Sequence, residues 1–398
     1  MLALRYSSLF LLLSIWVAQP VHADNWTEFT GAEALQEFVS DTSAEIDLRP
    51  GETAVGQYNA DGTAEIAAWG ATFDRTWQVV GENQVCYTAL AETDCYTFEQ
   101  NLDVQGEYRA RNVETGDLLV FHVSETEAAV AGRVTEVGSE GGLGSPSASE
   151  VAAELSNPNS NMGTLTMLLN YIDFDGDIPG ASGQSGLQVL FQPSLPYALS
   201  DKTNLFVRPA IPLIISQDVP NSSGEWESKG VDLGDISFDA SIFTSTPTGV
   251  VYGGGLVGSI PTATDDALGF DQWLLGPELI GVLIRQWGVV GGLISHQWDV
   301  AGEDSFDTSI TAGQLFVVLN LKNGWQLTSS PLFSYDHEAS SGNEWTFPLG
   351  LGLSKTMIIK GRPWQFGFEV LKYVESPDTF GPDWQIQFSV SPVVSLPW

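Results

Sequence analysis

The sequence predicts an all-β protein: an antiparallel transmembrane β-barrel of about 12 strands, preceded by a small β-rich soluble domain with one short helix. Three observations carry this. The first is composition. Of 398 residues 43% are hydrophobic and 11% aromatic, with 41 Gly and 13 Trp, but only 16% are charged. A soluble domain usually carries about 25% charged residues. The second is that these apolar residues never gather, beyond the N-terminus, into the roughly 20-residue run a membrane helix needs. They recur at every second position, as in a barrel wall with lipid on one face. The third is that loop length, charge and Trp sort together along the C-terminal part of the chain. The net charge of −35 argues against nucleic acid and anionic membrane patches as partners, because their phosphates repel such a surface.

Residues 1–23 read as a secretory signal. Arg5 precedes the apolar stretch 9–17, Pro20 breaks it, and Val21-His22-Ala23 offers small residues to a signal peptidase. Residues 24–137 are expected to form a periplasmic β-rich domain. Thr30-Gly-Ala-Glu33 has capping-box spacing and opens a short helix with Leu35, Phe38 and Val39 inward. Short β-like runs follow at 54–58, 64–69, 76–80, 85–90, 95–98, 108–112 and 118–123. They suggest a small antiparallel sheet or half-barrel. Cys86 and Cys95, close together in an exported chain, are expected to form a disulfide. Trp69, Trp77, Tyr87 and Tyr96 could line a pocket but fit better as the core of a small domain. Residues 138–162 form a Gly/Ser linker and a short helix near 148–155, either a connector or a piece tucked into the barrel mouth.

From 163 to 398 twelve segments alternate: 164–172, 187–197, 203–215, 233–243, 249–260, 273–284, 287–298, 308–321, 325–335, 345–357, 363–374 and 384–398. In the last, Trp384, Ile386, Phe388 and Val390 share one face and Gln385, Gln387 and Ser389 the other, so period two puts the first set in lipid. The segment 287–298 is apolar on both faces and fits less well. Short and long connections alternate, as they do between periplasmic turns and external loops. The short ones carry Lys202, Arg285, Lys322, Lys360 and Arg362 against Asp201, and the long ones about twenty acids against Lys229. Tyr197, Trp287, Trp325, Trp364 and Trp398 fall at the short-turn end, and Trp273, Trp298, Tyr335, Trp345 and Trp384 at the other. These are two interfacial girdles, which a soluble sandwich has no reason to build.

Segment 163–398 also resembles the bacterial outer-membrane proteins of the MetA-pathway of phenol degradation family, often described as transporter-like. The resemblance covers about 150–398 and rests on Asn204-Leu-Phe-Val-Arg208-Pro-Ala-Ile-Pro212, Leu233-Gly-Asp235-Ile, Ile260-Pro-Thr-Ala-Thr264-Asp-Asp, Leu275-Gly-Pro277, Ser295-His296-Gln-Trp298 and the terminal aromatic strand. It implies an outer-membrane barrel that passes hydrophobic or aromatic compounds, with no catalytic motif or cofactor.

Inward parity selects Asn170, Gln188, Gln192, Arg208, Asp235, Asp239, Glu278, Gln314, Gln365, Glu369, Gln385 and Gln387 as lumen residues. Arg208 is expected to pair with Asp235, Asp239 or a neighbour, forming either a charge-sorting constriction or a salt-bridge plug. Asp173, Asp175 and Asp177 resemble a calcium loop, but Gly176 and Gln184 break the pattern and the bland reading is a solvated acidic loop. Phe388, Leu396 and Trp398 form a terminal aromatic strand of the kind that barrel-assembly machinery recognises. Ser295 beside His296 is not a dyad, since adjacent strand residues face opposite ways.

The expectation is therefore an outer-membrane passive channel or uptake protein for small, hydrophobic or aromatic solutes, in contact with outer-membrane lipids and lipopolysaccharide. A structural or adhesive barrel without a through-pore, whose N-terminal domain binds a ligand or periplasmic partner, is the alternative. A lipid-modifying enzyme is the least favoured.

Overall fold

The structure is a computed structural model that describes residues 25–398 except 91, 127–128, 136–144, 221–224 and 304. The expected signal segment, residues 1–23, and most of the expected Gly/Ser linker lie outside the described residues. The first ten strands are β1 (Trp26–Phe29), β2 (Thr42–Arg49), β3 (Glu52–Tyr58), β4 (Thr63–Ala68), β5 (Ala71–Val80), β6 (Gln84–Ala89), β7 (Glu92–Asn101), β8 (Glu107–Asn112), β9 (Leu118–Thr126) and β10 (Ala129–Thr135). Helix α1 (Ala32–Val39) follows β1, and α2 (Ala148–Leu155) follows β10. The remaining strands are β11 (Gly163–Asp175), β12 (Ser185–Ser200), β13 (Thr203–Pro220), β14 (Trp226–Lys229), β15 (Asp232–Leu233), β16 (Ile236–Ser245), β17 (Val250–Ile260), β18 (Gln272–Arg285), β19 (Gly288–Gly302), β20 (Ser309–Asn320), β21 (Trp325–Ser329), β22 (Leu332–Asp336), β23 (Trp345–Ile359), β24 (Arg362–Glu375) and β25 (Gly381–Val394).

In the N-terminal part the hydrogen bonding goes all the way round. Strands β2 to β7 form an antiparallel meander. β8 pairs with both β7 and β9, and β10 closes onto β2 in parallel, Val130 opposite Thr42 and Val134 opposite Ile46. The expected open sheet or half-barrel is thus a ring, and the parallel seam is what closes it. Alternation decides its inside. Ala54, Gly56 and Tyr58 on β3, Ala64, Ile66 and Ala68 on β4, and Phe73, Arg75 and Trp77 on β5 are buried, and the residues that alternate with them are exposed. Trp69, Trp77, Tyr87 and Tyr96 belong to this core. Cys86 and Cys95 face each other across β6 and β7 and are bonded. Leu35 and Val39 of α1 join the same core. The α1 N-terminus differs from the expected capping box: the cap is Gly31 at φ 112, and it makes no side-chain bond.

The C-terminal part is a closed antiparallel barrel. β11 pairs with β12 on one side and β25 on the other. Going round, the walls are β11, β12, β13, the β15–β16 strand, β17, β18, β19, β20, the β21–β22 strand, β23, β24 and β25, twelve in all. The β21–β22 strand is interrupted at Ser330 and Pro331, since proline offers no amide to the ladder. β14 folds back on the outer end of β13. The outward face is apolar: Leu279, Leu349, Leu351 and Phe388 are all more than half exposed in the isolated chain. Exposed Trp287 and Trp325 sit at one end of that belt and Trp273, Trp298, Trp345 and Trp384 at the other. Strand β25 ends at Val394, earlier than expected. Residues 395–398 leave the ladder, and Trp398 stacks on Tyr197 with ring centroids 4.4 Å apart and donates its indole N–H to the Pro196 carbonyl at 2.9 Å.

The ring sits against the short-turn end of the barrel. The Trp69 indole donates to the Gly361 carbonyl (3.1 Å), and the Asn323 amide donates to Glu92 (2.7 Å). Ser395 also bonds Glu52. Gly361, at φ 72, lies so close to the ring that a Cβ there would meet the Leu48 carbonyl oxygen at 2.0 Å. No other residue type fits that turn.

A candidate site in the barrel lumen

Between ring and barrel runs the segment 145–162. Its sequence contains Ser147-Ala-Ser-Glu150, and here the capping box forms in full: the Ser147 hydroxyl accepts from the Glu150 amide and the Glu150 carboxylate accepts from the Ser147 amide. The same Glu150 carboxylate takes a two-pronged bond from Arg75 of the ring, Nε at 2.8 Å and a terminal nitrogen at 2.7 Å. Arg75 also donates to the Ser145 carbonyl at 2.8 Å. Both charged side chains are buried, at 6% and 5% exposure. Arg75 lies on the inner face of β5 between Phe73 and Trp77, so Glu150 from the helix is what makes that charge tolerable. Val151 and Met162 extend the ring's apolar core to Val393 of the barrel.

The rest of the segment crosses the lumen. On one wall, Gln326 of β21 donates to the Ala152 carbonyl (3.0 Å) and the Ser156 hydroxyl (2.9 Å), and the Gly324 amide donates to Ser149 (2.8 Å). On the other, Asn159 donates to the Lys202 carbonyl (3.0 Å) and to Ser245 (2.7 Å), and Asn204 of β13 donates to the Asn159 carbonyl (3.0 Å). Strands β13 and β21 are third and ninth in the order of twelve, hence on opposite sides. The segment therefore spans the barrel's diameter at the short-turn end. The sequence shows the helix and leaves its placement open between a connector and a piece tucked into the barrel mouth. The run Asn157-Pro-Asn-Ser-Asn, rich in amides yet bounded by no strand, is the signal that could have pointed to a segment bonding to walls on both sides.

The lumen wall carries the charges that parity selected. Arg208 Nε donates to both carboxylate oxygens of Asp239, at 3.1 and 3.0 Å. Glu278 accepts from Ser241 at 2.9 Å two strands further on. Glu369 accepts the Ser330 amide (3.0 Å), a donor left over by the break in the β21–β22 strand. Gln385 and Gln387 donate to Asn170, at 3.3 and 2.9 Å, and Tyr373 donates to Gln385 at 2.8 Å. Asp235 is used differently from the expected pairing with Arg208. It sits in the break between β15 and β16, where it accepts the amides of Thr262, Ala263 and Phe270 from the long connection between β17 and β18 at 3.0, 3.0 and 2.7 Å. An apolar patch formed by Phe206, Phe243, Val251, Ile280, Val282 and Val289 faces inward beside the crossing segment. That accounts for the two-sided apolarity of β19.

A cavity of about 210 Å³ remains between the segment and the β11–β13 wall, bordered by Pro158, Gln192, Phe206, Arg208 and Phe243 among others. Elsewhere, Asp175 is taken up by the Gly176 amide and Ser182, Asp177 donates its amide to the Asp378 carbonyl (2.7 Å), and Asp173 stands in the ladder opposite Ser185. Among the described residues no three His, Cys, Asp or Glu side chains gather as a metal site. Ser295 is buried on the inner face. His296 bonds Thr311 (2.8 Å) and lies 4.2 Å from the Trp298 ring.

No family model and no curated protein matches the chain. Solved structures similar to it include an outer membrane channel from Pseudomonas putida F1 (11% identity, TM-score 0.47, 58% of this chain and 95% of that one). The outer membrane channel DcaP of Acinetobacter baumannii (9%, TM-score 0.29, 81% and 87%) and the CymD monoaromatic hydrocarbon channel (13%, TM-score 0.25, 93% and 94%) are similar more distantly. At these scores the likenesses carry no weight for function, which is read from the chain's own geometry.

Proposed function

We propose that this chain is an outer-membrane uptake channel for small hydrophobic or aromatic solutes, its inner mouth shut by residues 148–162 and backed by a periplasmic ring. The observation that carries this is the diametric crossing of the lumen by a segment held through hydrogen bonds to opposite walls. A barrel built only as a wall-to-wall structure would fill its lumen with wall side chains; this one uses a separate segment of chain and keeps a cavity beside it. The cationic short turns, the acidic long loops and the two aromatic girdles support a bilayer setting with the ring on the periplasmic side. The inward Phe206 and Phe243 patch supports an apolar solute. The outer-membrane family resemblance agrees with this reading. Ser295 and His296 on opposite faces speak against a hydrolase.

Planar-bilayer conductance tests it. The wild-type chain should conduct little, with rare openings. Replacing Gln326, Asn159 and Asn204 together by Ala, which removes the side-chain bonds to both walls and among the described residues leaves only the Gly324–Ser149 bond, should raise the open fraction at least tenfold. A silent triple variant that is still folded and heat-modifiable would favour the second reading, a structural barrel without a through-pore. The shared apolar core of ring, helix and barrel end is the observation on that side.

A further inference from the structure

The lumen as a whole is acidic, but the cavity beside the crossing segment is not. Of the residues that border it, Arg208 is the one with a charge, and Asp239 and Glu278 are not among them. Asp239 engages only Nε of the guanidinium. Neither terminal amino group of Arg208 has a hydrogen-bond partner among the described residues, and the side chain keeps 31% of its surface open. Asp239 thus holds the guanidinium through Nε and leaves both terminal nitrogens uncommitted, on a side chain that borders the cavity. Phe206 and Phe243, which stack at 5.2 Å, border the same cavity, as does Pro158 from the crossing segment. The remaining polar lining, such as Thr166 and Gln192, is neutral.

A forked cation next to an aromatic floor selects a molecule with both halves. Two parallel N–H donors match the two oxygens of a carboxylate, and a point charge or a neutral hydroxyl would use them less well. The apolar half would lie on Phe206 and Phe243. About 210 Å³ is more than the roughly 150 Å³ of an apolar cavity that admits benzene, enough for one ring and too little for a drug-sized ligand. We propose that Arg208, Phe206 and Phe243 form a binding site in the lumen for a small aromatic or alicyclic monocarboxylate. This deepens the channel reading and rests on it for its biological meaning: the site would hold the solute against the closed segment before passage.

The test is calorimetric titration of the purified full chain in detergent with benzoate, benzyl alcohol and inorganic phosphate. Benzoate should bind saturably at one site, and the other two at least about tenfold more weakly, benzyl alcohol because the charge-assisted bond is lost and phosphate because nothing covers the Phe206 and Phe243 rings. Arg208→Gln should bring benzoate down to the level of benzyl alcohol. Gln192→Phe, which fills the cavity and leaves the Arg208–Asp239 pair intact, should abolish binding of benzoate. It decides the matter if Arg208→Gln does not fold. Equal binding of benzoate and benzyl alcohol, phosphate binding as tightly as benzoate, or benzoate affinity unchanged in folded Gln192→Phe protein would each overturn the site. Conductance is read separately. A conducting channel that ignores benzoate sinks only this inference, whereas benzoate binding to a protein that never conducts sinks only the channel.

Discussion

In the N-terminal ring, Ala64, Ile66 and Ala68 point inward and are buried, and Glu65 and Ala67 between them face solvent. In the barrel, Leu349, Leu351 and Leu353 point outward and are exposed, while Ser354 and Thr356 line the inside and are buried. Both structures are closed sheets with the same period-two pattern, and one is the other turned inside out. Alternation says that a strand has two unlike faces. It does not say which face meets solvent and which meets lipid. That decision comes from what lies at the strand ends. The barrel strands end in interfacial Trp and in turns sorted by charge; the ring strands end in ordinary Gly and Asp turns such as Asn59 to Gly62. The difference teaches that a membrane barrel is recognised from its rims more than from its walls.

Each region has one element that violates its own rule, and that is where the comparison can be broken most severely. Arg75 is a charge inside the apolar ring, tolerated because Glu150 of α2 meets it. Arg75→Met leaves Glu150 buried and unpaired, which typically costs about 3–5 kcal/mol. We expect α2 amides to lose hydrogen-exchange protection and single-channel openings to become frequent. Arg75→Met with Glu150→Leu together should recover most of the protection, because a well-packed apolar pair of similar volume can replace a buried ion pair. Unchanged exchange in the single variant would show that the ring does not hold the helix as argued.

The walls themselves give the next largest effect. Leu351 is 60% exposed on the barrel and Val55 is 43% exposed on the ring, so by exposure alone the two positions look alike. If one faces lipid and the other water, an arginine separates them. Leu351→Arg should destabilise the folded barrel by about 2–4 kcal/mol if it lies near the midplane. Val55→Arg should change stability by less than about 0.5 kcal/mol. Urea titration in lipid vesicles, read by heat-modifiable mobility for the barrel, checks both. Equal tolerance at the two positions would remove the membrane assignment.

What was legible follows the same division. The twelve walls were readable because lipid on one side and a polar lumen on the other leave a clean alternation over ten residues or more. The exception, β19, has Val289 and Leu293 turned inward against the Phe206 and Phe243 patch, where the lumen next to the crossing segment is itself apolar. The Arg208–Asp239 pair was readable because it joins neighbouring walls at facing positions. Asp235 was not, since it falls in the break between β15 and β16 and its carboxylate serves three amides of the neighbouring long connection. The ring closure was hidden because a parallel seam between β2 and β10 has no turn to announce it. The anchoring of α2 was hidden for a similar reason, since its place was left open between a connector and the barrel mouth: Glu150 finds Arg75 at a separation of 75 residues, and no local pattern records a partner that distant.

A smaller effect sharpens the barrel's closure. Trp398 lies outside the β11–β25 ladder and is held by Tyr197 and the Pro196 carbonyl. Its stacking is worth on the order of 1 kcal/mol, so deleting it should barely change the melting of barrels that have already formed. If the terminal aromatic is also read by assembly machinery, the amount of barrel in the outer membrane should still fall sharply, and Trp398→Phe should restore it. Normal amounts of the deletion variant, judged by heat-modifiable protein in membrane fractions, would leave the residue with only its packing role.

The smallest expected effect concerns the segment that joins the two regions. Glu154 is the last acidic residue of α2 and is half-buried, with Asn157 and Ser160 of its own segment as partners. Desolvation pushes its pKa up from the ordinary 4.5, and hydrogen bonds from Ser160 and Asn157 only partly oppose this. The docked helix therefore prefers the protonated carboxyl and the released helix the ionised one. A group whose pKa is raised in the docked state contributes its stabilisation fully below the ordinary value and loses it as pH rises through the raised one. Docking should be tightest in acid and loosen between 4.5 and that higher value. The open fraction in bilayers should rise with pH across this window and level off above it. Glu154→Gln, which is neutral throughout, should flatten the rise and hold the channel at its acid-side closure at every pH. An open fraction that falls with rising pH, or a Glu154→Gln profile that follows the wild type, would mean that another group controls the segment.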